Sequence, residues 1–337
     1  MSSRITRRQF MLSAGVTGLG LIAGCGPLPF QQPPPTAVKV YRLGYLSGNN
    51  PTDGARNLDL FRQALGELGY MEGQNLIIEY RWGEGSDVPL AEAAAELARL
   101  PVDLFVVTST ASVRSIRAAT TTVPVVLSGG GDLVAAGLAA SYAHPGGNVT
   151  GVTTLTTQLF GKRLQILKEA VPSISRVAVF HDAATSVPFP IEAWRRDAQT
   201  LGLQVHALEL HRPEEFDAVF EAAAREGADA LLVPPGPLGS AHRARIIQLA
   251  AQLRWPAMYD QRLFVDEGGL MTYAASLTDR WRRAASHVDK ILKGGSPAEI
   301  PIEQPTRFDF VVNLNTAREL GITFPQEILL QVTEVIQ

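Results

Sequence analysis

The chain has 337 residues, of which 46% are hydrophobic and 19% charged, and its formal net charge is −3. This length is sufficient for two domains of ordinary size, and this composition supports buried cores, which excludes a disordered tether. Because no long basic run follows the N-terminus, the clustered Lys and Arg that phosphate binding requires are missing, which argues against a nucleic-acid partner.

The first 25 residues have the features of an export signal. Arg4, Arg7 and Arg8 form a positive segment, and an apolar run follows over Met11–Ala23. This run has the length of a signal-peptide core and is shorter than the roughly 20 residues that a membrane-spanning helix needs. The sequence Thr6–Met11 (TRRQFM) resembles the twin-arginine export motif. We therefore expect a twin-arginine signal over residues 1–25.

Cys25 is the only cysteine of the chain, and it stands directly after the apolar run. The sequence Leu21–Cys25 (LIAGC) resembles a bacterial lipobox, in which the thiol receives a diacylglycerol. We predict lipidation at Cys25; the alternative is an incidental or buried thiol. The Pro-rich segment 26–37 then predicts a stiff tether between lipid and folded body. The expectation is an exported, periplasmic or extracytoplasmic protein that contacts the membrane only through this anchor.

Strand-like and helix-like patterns alternate through the first half of the folded body. The predicted strands are Val38–Leu46, Asn75–Trp82, Val102–Val107 and Val123–Leu127. Three helices lie between them: one ends near Gly69 with Leu58, Phe61, Leu65 and Leu68 on one face, and the others are Pro89–Leu100 and Thr110–Ala119. This alternation predicts a parallel sheet with right-handed crossovers.

The stretch Ala139–Thr154 (AASYAHPGGNVTGVTT) separates two such series. Pro145–Asn148 is rich in turn residues, and the following segment Val149–Val152 favours a short strand. Glycines here permit changes in backbone dihedral angles. We therefore interpret this stretch as a hinge between two α/β lobes, with the functional surface in the cleft between them.

The second series repeats the first. Its predicted elements are a helix at Gly161–Ala170, strands at Arg176–Phe180, Gln204–Leu210, Ala230–Val233 and Pro256–Tyr259, and helices at Pro190–Leu201, Pro213–Glu226 and Ala241–Leu253. Aligning Val102–Leu104 with Ala228–Ala230 gives an offset of roughly 130 residues, too long for a solenoid repeat. The pattern predicts a duplicated α/β lobe.

The last part of the chain does not continue the second series cleanly. It contains predicted strands at Leu270–Tyr273 and Arg307–Val312, a helix at Asp279–Leu292 and two short closing helices. We expect the first lobe over 38–150, the second over 151–275, and a recrossing segment over 276–337 that completes the first lobe and the hinge. The fold class is thus α/β, with two doubly wound parallel-sheet lobes joined by a multi-strand hinge.

Ligands of doubly wound sheets bind outside the carboxyl ends of the strands. The loops at those ends are rich in small polar residues, which offer hydroxyls and helix N-terminal amides to a carboxylate, while aspartates can receive an ammonium group and tyrosines can stack on an apolar body. The candidate ligand-binding residues are Ser47, Asn49, Ser109, Thr110, Asp132, His181, Asp182, Tyr259, Asp260 and Tyr273.

Each of these assignments has a structural alternative. The hydroxyls of Thr108–Thr110 serve equally as helix N-caps, and His181 is equally a solvated surface histidine. Tyr259 and Tyr273 are alternatively edges of the core. The loop Ser128–Asp132 (SGGGD) lacks the Lys-Ser/Thr that completes a phosphate-binding P-loop, so no nucleotide is expected.

The sequence lacks the motifs of several common catalytic sites. No Gly-x-Ser-x-Gly elbow and no His-Glu-x-x-His motif occurs. The paired acidic residues Glu214 and Glu215 lie at a predicted helix start, where carboxylates usually complement the helix dipole. We therefore predict a non-enzymatic protein without metal or cofactor.

Several motifs together resemble the bacterial ABC transporter substrate-binding proteins related to the tryptophan-binding type. The resemblance extends from about Tyr41 to the C-terminus. It rests on Phe61–Leu65 (FRQAL), Leu68–Tyr70, Glu72–Asn75 (EGQN), Ile78–Trp82 (IEYRW), His144–Gly151 (HPGGNVTG), Gly161–Leu164 (GKRL), Val288–Gly294 (VDKILKG) and Glu303–Thr306 (EQPT). It implies a type I periplasmic-binding fold with three crossovers between lobes and capture of a small molecule for a membrane permease.

By the same resemblance, Thr110 matches the family's hydroxyl at a helix start, Asp132 its Gly-Asp loop, and Tyr259 and Tyr273 its aromatic positions. Departures fall in the second lobe, at Asp182, Gly236, Gly239 and Ser240 and in Tyr273–Ser276 (YAAS). These departures change which ligand fits, so the resemblance alone leaves an amino acid and another aromatic or amphiphilic molecule open.

The function expected from residues and resemblance together is that of a monomeric, extracytoplasmic solute-binding protein of an ABC importer. Two alternatives remain at this point. One is a sensor of the same fold that reports its ligand to a membrane receptor, and the other is an α/β hydrolase.

Overall fold

The computed structural model describes residues 39–83, 87–154, 159–183 and 190–337. The predicted export signal, the predicted lipidation site Cys25 and the Pro-rich tether precede these ranges and lie outside the described residues. Within them, no helix combines the length and the apolarity needed to cross a bilayer.

The described chain forms two parallel-dominated sheets flanked by helices. The strands are β1 (Tyr41–Ser47), β2 (Leu76–Trp82), β3 (Leu104–Val107), β4 (Val125–Leu127), β5 (Val149–Gly151), β6 (Arg176–Asp182), β7 (Gln204–Leu210), β8 (Ala230–Val233), β9 (Ala257–Tyr259), β10 (Met271–Ala275), β11 (Phe308–Asn313) and β12 (Glu334–Ile336).

The helices alternate with these strands along most of the chain, and a 3₁₀ turn at Pro213–Glu215 precedes one of them. They are α1 (Pro51–Glu67), α2 (Asp87–Leu97), α3 (Thr110–Ala119), α4 (Phe160–Ala170), α5 (Ile191–Thr200), α6 (Phe216–Arg225), α7 (Pro237–Ala241), α8 (Arg243–Gln252), α9 (Arg262–Asp266), α10 (Leu277–Leu292), α11 (Leu314–Leu320) and α12 (Gln326–Leu329).

The first lobe is built on a five-stranded sheet with the order β2–β1–β3–β4–β5, in which all neighbours are parallel. Helices α1 and α10 pack on one face, around Leu43 and Val106, and α2 and α3 cover the other face, around Phe105 and Val107. Because alternate residues of a strand point to opposite faces, both faces of these strands are apolar.

The second lobe is built on a seven-stranded sheet with the order β12–β11–β10–β9–β8–β6–β7. Helices α4, α5, α11 and α12 pack on one face and α6, α8 and α9 on the other. All neighbours are parallel except β10 and β11, which pair antiparallel. The predicted fold class, α/β with two parallel-sheet lobes, is confirmed.

The first strand of each lobe begins with the same kind of hydrogen bond, from a backbone amide to an aspartate. In the first lobe, Asp103 Oδ2 accepts the amide of Arg42 at 2.7 Å, and in the second lobe Asp229 Oδ1 accepts the amide of Arg176 at 2.9 Å. Each aspartate directly precedes a buried strand, which is the third of its lobe in chain order, β3 or β8. The duplication expected from the sequence is therefore visible at the level of individual contacts.

The prediction that residues 276–337 complete the first lobe is correct for α10 and for the segment directly after it. Trp281 and Val288 of α10, and Ile300 and Ile302 beyond it, lie in the cores of the first lobe. The chain then returns, because β11 and β12 extend the second sheet, and α11 and α12 pack on that sheet. The sequence pattern reveals a strand at 307–312 but not which sheet edge it joins. In the described part of the chain, the backbone thus passes between lobes three times.

Two of these passages are fastened together. Val152, just after β5, forms a parallel bridge with Glu303, and Thr150 Oγ1 donates to the carbonyl of Ile300 at 2.7 Å. Gly151 has φ of +138°, and a Cβ there would lie 2.1 Å from Leu127 O, so only glycine fits. The stretch interpreted as a hinge therefore contains one rigid attachment rather than free backbone throughout.

Smaller differences from the predicted elements concern helix ends. Leu68 follows the last residue of α1 and is 43% exposed, so it does not continue the buried face. The predicted helix 241–253 corresponds to α8, and α7, α9 and β12 are short elements that the pattern did not reveal.

Candidate functional site

The carboxyl ends of β1 and β3 bring hydroxyl groups together in the first lobe. Ser47, the last residue of β1, is 1% exposed, and its Oγ accepts the amide of Asn49 at 3.2 Å and the hydroxyl of Thr108 at 3.3 Å. Two neighbouring strands of a parallel sheet thus end in one polar patch. Ser47 and Asn49, both predicted to bind the ligand, contact each other here, and their contact with a ligand stays a prediction.

The N-terminus of α3 borders the same patch. Ser109 is its N-cap, and its Oγ accepts the amide of Ser112 at 3.0 Å. The amides of Thr110 and Ala111 belong to the first helical turn and have no acceptor within the helix. Such amides, with the helix dipole, favour an anionic group. The capping alternative for Ser109 is therefore realised, and it leaves the helix end suited to a carboxylate.

Thr110 links this helix to the glycine loop after β4. Its Oγ1 accepts the amide of Gly131 at 3.0 Å, and a Cβ at Gly130 would lie 2.9 Å from the same oxygen. The loop can approach the helix this closely because residue 130 has no side chain. Asp132, at the end of the loop, is exposed and accepts the amides of Val134 and Ala135. These bonds make Asp132 a cap of its own turn, and a ligand role for it stays a prediction.

The opposite side of the glycine loop contacts Arg280. A Cβ at Gly129 would lie 2.7 Å from Arg280 Cδ and 2.9 Å from Arg280 Nε. Arg280 Nη2 donates to Asn57 Oδ1 at 3.3 Å, whereas its buried Nε has no hydrogen-bond partner among the described residues. Burial lowers the pKa of Arg280 to about 10, so the guanidinium remains charged at neutral pH.

In the second lobe, the corresponding strand end carries Asp260. This residue follows β9 and is 8% exposed, and its Oδ1 is buried without a hydrogen-bond partner in the described structure. Burial raises the pKa of Asp260 to about 6, and the charge of nearby Arg163 opposes that shift. Arg163 is 3% exposed and donates from Nε to the carbonyl of Tyr273 at 2.8 Å. A buried carboxyl with a free acceptor therefore lies at this edge of the second sheet.

Asp182 and His181, at the end of β6, contact other residues of the second lobe. Asp182 is 7% exposed and its Oδ2 accepts the amide of Leu238 at 2.9 Å, which caps α7. His181 is half-buried beside Glu209 of β7, and burial lowers its pKa. Residues 184–189, which follow this strand end, lie outside the described residues. A ligand contact for Asp182 or His181 stays a prediction.

The two candidate tyrosines have different positions. Tyr273 is half-buried at the second passage between lobes, with its ring parallel to that of Phe308 at a centroid distance of 5.6 Å. Tyr259 is 1% exposed, and its ring stacks on Phe264 within the core of the second lobe. The prediction that Tyr259 stacks on a ligand is therefore wrong, because its strand position directs the ring to the face that α9 covers.

Ion pairs join the lobes directly. Arg243 of α8 donates to Asp53 of α1 at 2.7 Å, with each side chain 18% exposed, and it also binds Glu267 at 2.6 Å. Arg56 of α1 contacts Asp266 of α9 at 3.2 Å. These pairs were not found from the sequence, because each partner is an ordinary charged residue on a helix and only the fold brings them together.

Arg280 and Arg163 were also missed by sequence reasoning. Each is the fourth residue of a helix that follows a passage between lobes, α10 and α4 respectively. No local signal separates Arg280 from Arg282 or Arg283 in the same helix. Within the described residues, no group of three or more His, Cys, Asp or Glu side chains could hold a metal ion.

Comparison with solved structures defines the class of protein. The chain shares 23% identity and a TM-score of 0.78 with an ABC domain from Streptococcus pneumoniae in complex with L-Trp, over 88% of this chain and 100% of that one. A leucine-binding protein from Thermotoga maritima matches with 16% identity and a TM-score of 0.58, over 83% and 87% of the two chains. The fold is that of the two-lobed type I periplasmic binding proteins.

The sequence matches the family described as ABC transporter substrate binding protein over residues 55–336, and the chain belongs to that family. A curated relative, the tyrosine-binding protein of Clostridioides difficile, is 22% identical over 321 residues, which are 93% of this chain and 91% of the relative. The resemblance identified from sequence motifs is thereby confirmed. The protein binds a small molecule for ABC transport, a task performed outside the cytoplasm.

Proposed function

We propose that this protein captures an amino acid with an aromatic side chain between its lobes and delivers it to an ABC permease. The observation that carries the proposal is the buried Asp260, whose Oδ1 has no partner among the described residues. An α-ammonium group would donate to this oxygen and supply the positive charge that favours its ionised form.

The opposite end of the ligand finds complementary groups in the first lobe. The hydroxyls near Ser47 and the N-terminus of α3 suit a carboxylate. An amino acid carries both charges on one carbon, which fits a cleft with a carboxyl on one side and anion-favouring groups on the other. The aromatic side chain is proposed because a similar structure contains L-Trp and a relative is named a tyrosine-binding protein; Tyr273 is the proposed stacking surface.

Closure over the ligand is the proposed mechanism, and it involves no covalent step. Contacts with both lobes favour the closed form only if the ligand binds that form more tightly, and a nearly complete shift requires about 5.5 kcal/mol of preference. A few buried charge-assisted hydrogen bonds supply energies of this order. Export through the twin-arginine signal and lipidation at Cys25 belong to the same proposal, and we expect a monomer.

The test is isothermal titration of the full-length protein with the twenty amino acids. We expect tryptophan, tyrosine or phenylalanine to bind at micromolar concentration or below, with 3-(indol-3-yl)propanoate, which lacks the amine, at least tenfold weaker. Asp260→Asn should abolish that difference, while Asp229→Asn, at a distant corner of the second lobe, should keep it. Binding of no amino acid at millimolar concentration contradicts the proposal. Palmitate labelling compared between wild type and Cys25→Ser tests the anchor.

A further inference from the structure

The guanidinium of Arg280 lies against the glycine loop that follows β4 in the first lobe. Arg280 is in the first turn of α10, immediately after the second passage between lobes, and its Nε, Nη1 and Cδ all lie against the backbone of Gly129. Gly129 follows β4 at the carboxyl edge of the sheet, where ligands of this architecture bind. The side chain therefore reaches the ligand-binding edge from the helix that covers one face of the sheet.

The charge of Arg280 has no anionic partner in the described structure. It forms no ion pair, and its hydrogen bond to Asn57 Oδ1 is long, at 3.3 Å, and shared with Trp281 Nε1 at 3.0 Å. The Nε atom is inaccessible to solvent and donates to no acceptor. Buried polar atoms in proteins are almost always hydrogen-bonded, so an unpartnered Nε on a guanidinium at a binding edge indicates an acceptor that arrives from outside.

A second unpartnered group lies beside it. Tyr45 is fully buried among Phe61, Trp82 and Trp281, yet its hydroxyl makes no hydrogen bond in the described structure. Arg280 is close enough to oppose the rise that burial causes in the pKa of Tyr45. The region thus contains two buried donors, one of them charged, and a single anionic oxygen pair would accept from both.

The glycine loop connects these donors to the N-terminus of α3. Gly129 contacts Arg280, and the next residue, Gly130, contacts the amide of Thr110, which a Cβ would approach to 3.1 Å. A planar group placed at this loop would face a guanidinium on one side and helix amides on the other. Arginine recognises carboxylates with two parallel hydrogen bonds, and helix N-termini favour the same charge.

We propose that Arg280 is the charged partner of the ligand's carboxylate, with the Tyr45 hydroxyl as an additional donor. This inference rests on the proposed amino-acid capture and adds the residue that selects the acidic end of the ligand. The competing explanations are a structural role, since the Arg280 guanidinium lies 5.9 Å from the Trp281 ring centroid, and a buried water that satisfies both donors.

The experiment compares ligands that differ only in the carboxylate. Wild type, Arg280→Met, Arg280→Lys and the control Arg282→Met are titrated with L-tryptophan, L-tyrosine and their carboxamides. Arg282 belongs to the same helix but is 54% exposed and pairs with Glu67. We expect wild type and the control to prefer the free acid at least tenfold. Arg280→Met should lose at least 30-fold in affinity for the acid and bind acid and amide within about threefold, with Arg280→Lys intermediate.

The outcomes separate this inference from the proposed function. If amino acids bind and Arg280→Met still prefers the free acid, the inference is overturned and the proposed function remains. A structural role of Arg280 or a buried water would give this result. If amino acids do not bind, a panel of other carboxylates and mass spectrometry of co-purified molecules decide. A carboxylate whose binding depends on Arg280 supports the inference against the function, and binding of no carboxylate overturns both.

A second variant keeps the test informative if Arg280→Met fails to fold. Tyr45→Phe removes one oxygen from a fully buried ring and retains its packing. We expect a three- to tenfold loss for the free acid and a smaller loss for the amide. Tyr80→Phe is the control, because that hydroxyl binds Glu72 and Arg62 at the surface. Equal affinities in Tyr45→Phe and Tyr80→Phe for the free acid argue against the donor pair.

Discussion

Two arginines occupy matching positions in the two lobes, and they differ in how their buried Nε atoms are satisfied. Arg163 is the fourth residue of α4 and Arg280 the fourth residue of α10, and each helix follows a passage between lobes. Arg163 Nε donates to the carbonyl of Tyr273, whereas Arg280 Nε has no acceptor in the described structure. The comparison suggests different tests for the two residues, because only the unpartnered Nε of Arg280 fits the proposed ligand contact.

The largest expected effect follows from removing each charge in the absence of ligand. Arg163→Met leaves the carbonyl of Tyr273 without its donor and Asp260 without its neighbouring positive charge. An unsatisfied buried carbonyl costs about 1–3 kcal/mol, and the lost attraction on Asp260 adds to that cost. Arg280→Met removes an unpaired charge, so we expect a change within about 1 kcal/mol in the free energy of unfolding. Urea unfolding of both ligand-free variants at pH 7 measures the difference.

Equal losses in the two variants would contradict the comparison, since both arginines would then be structural. Arg282→Met provides the baseline for a half-exposed arginine of α10. Its expected change in the free energy of unfolding is below about 1 kcal/mol, as for other exposed pairs.

The next effect concerns the pH dependence that Asp260 contributes. Its pKa rises from 3.8 to about 6 on burial, a difference worth about 3 kcal/mol. The folded state then binds the proton more tightly than the unfolded state between these values. The Asp260 contribution therefore stabilises below about pH 4 and is lost as pH rises through 6. We expect Asp260→Asn to gain stability relative to wild type above pH 6, by up to about 3 kcal/mol.

Unfolding of ligand-free wild type and Asp260→Asn between pH 4 and pH 8 tests this sign. The difference between the two curves should grow from pH 4 to pH 7 and then remain constant. A difference independent of pH would show that Asp260 titrates normally, and Asp229→Asn controls for loss of a partly exposed, hydrogen-bonded carboxylate.

Much of this fold follows from local sequence pattern, and the reasons are visible in single elements. Strand β8 lies at the predicted residues, because an uninterrupted apolar run between Asp229 and Pro234 can only be a buried strand of that length. Strand β12 could not be predicted, since it has three residues, largely exposed, and exists through pairing with β11. The antiparallel return of β11 depends on which sheet edge is open, and a local pattern does not contain that information.

The candidate site also contains some residues whose positions could be predicted and others that could not. The positions of Ser47 and Asp260 at the binding edge could be predicted, because parallel strands bring their carboxyl ends to one edge. Their contact with a ligand stays a prediction. Tyr259 was misassigned, because its position at a strand end does not reveal which face of the sheet the ring occupies. Arg280 was missed because its unpaired state is a property of everything around it. Sequence thus locates the edge, and packing decides which side chains are available there.

The ion pair between Arg243 and Asp53 joins the two lobes and belongs to neither hydrophobic core. In Asp53→Asn, Arg243 keeps its contact with Glu267, so no charge is left without a partner. The substitution removes an attraction that joins the lobes in the described structure, between side chains that are each 18% exposed. We expect ligand affinity to fall about fivefold, or about 1 kcal/mol, with unchanged stability of the ligand-free protein. Titration at 50 mM and 500 mM salt should show a smaller salt dependence than wild type.

Glu192→Gln is the matched control, because Glu192 pairs with Arg195 inside the second lobe and at its surface. An equal loss of affinity in this variant would assign the effect to net charge rather than to the contact between lobes. Small-angle scattering provides an independent measure, since Asp53→Asn should need more ligand to reach the compact form.

The smallest effect is expected at the other pair that joins the lobes. Arg56 is 47% exposed, and its partner Asp266 also binds Arg262, so Arg56→Gln leaves Asp266 satisfied. An exposed pair of this kind contributes about 0.2–1 kcal/mol, and we expect an affinity loss below threefold by titration. If Arg56→Gln matched Asp53→Asn, closure would depend on the number of charges that cross the boundary. A clear difference would instead assign the closing energy to the one pair that the two lobes shield from water.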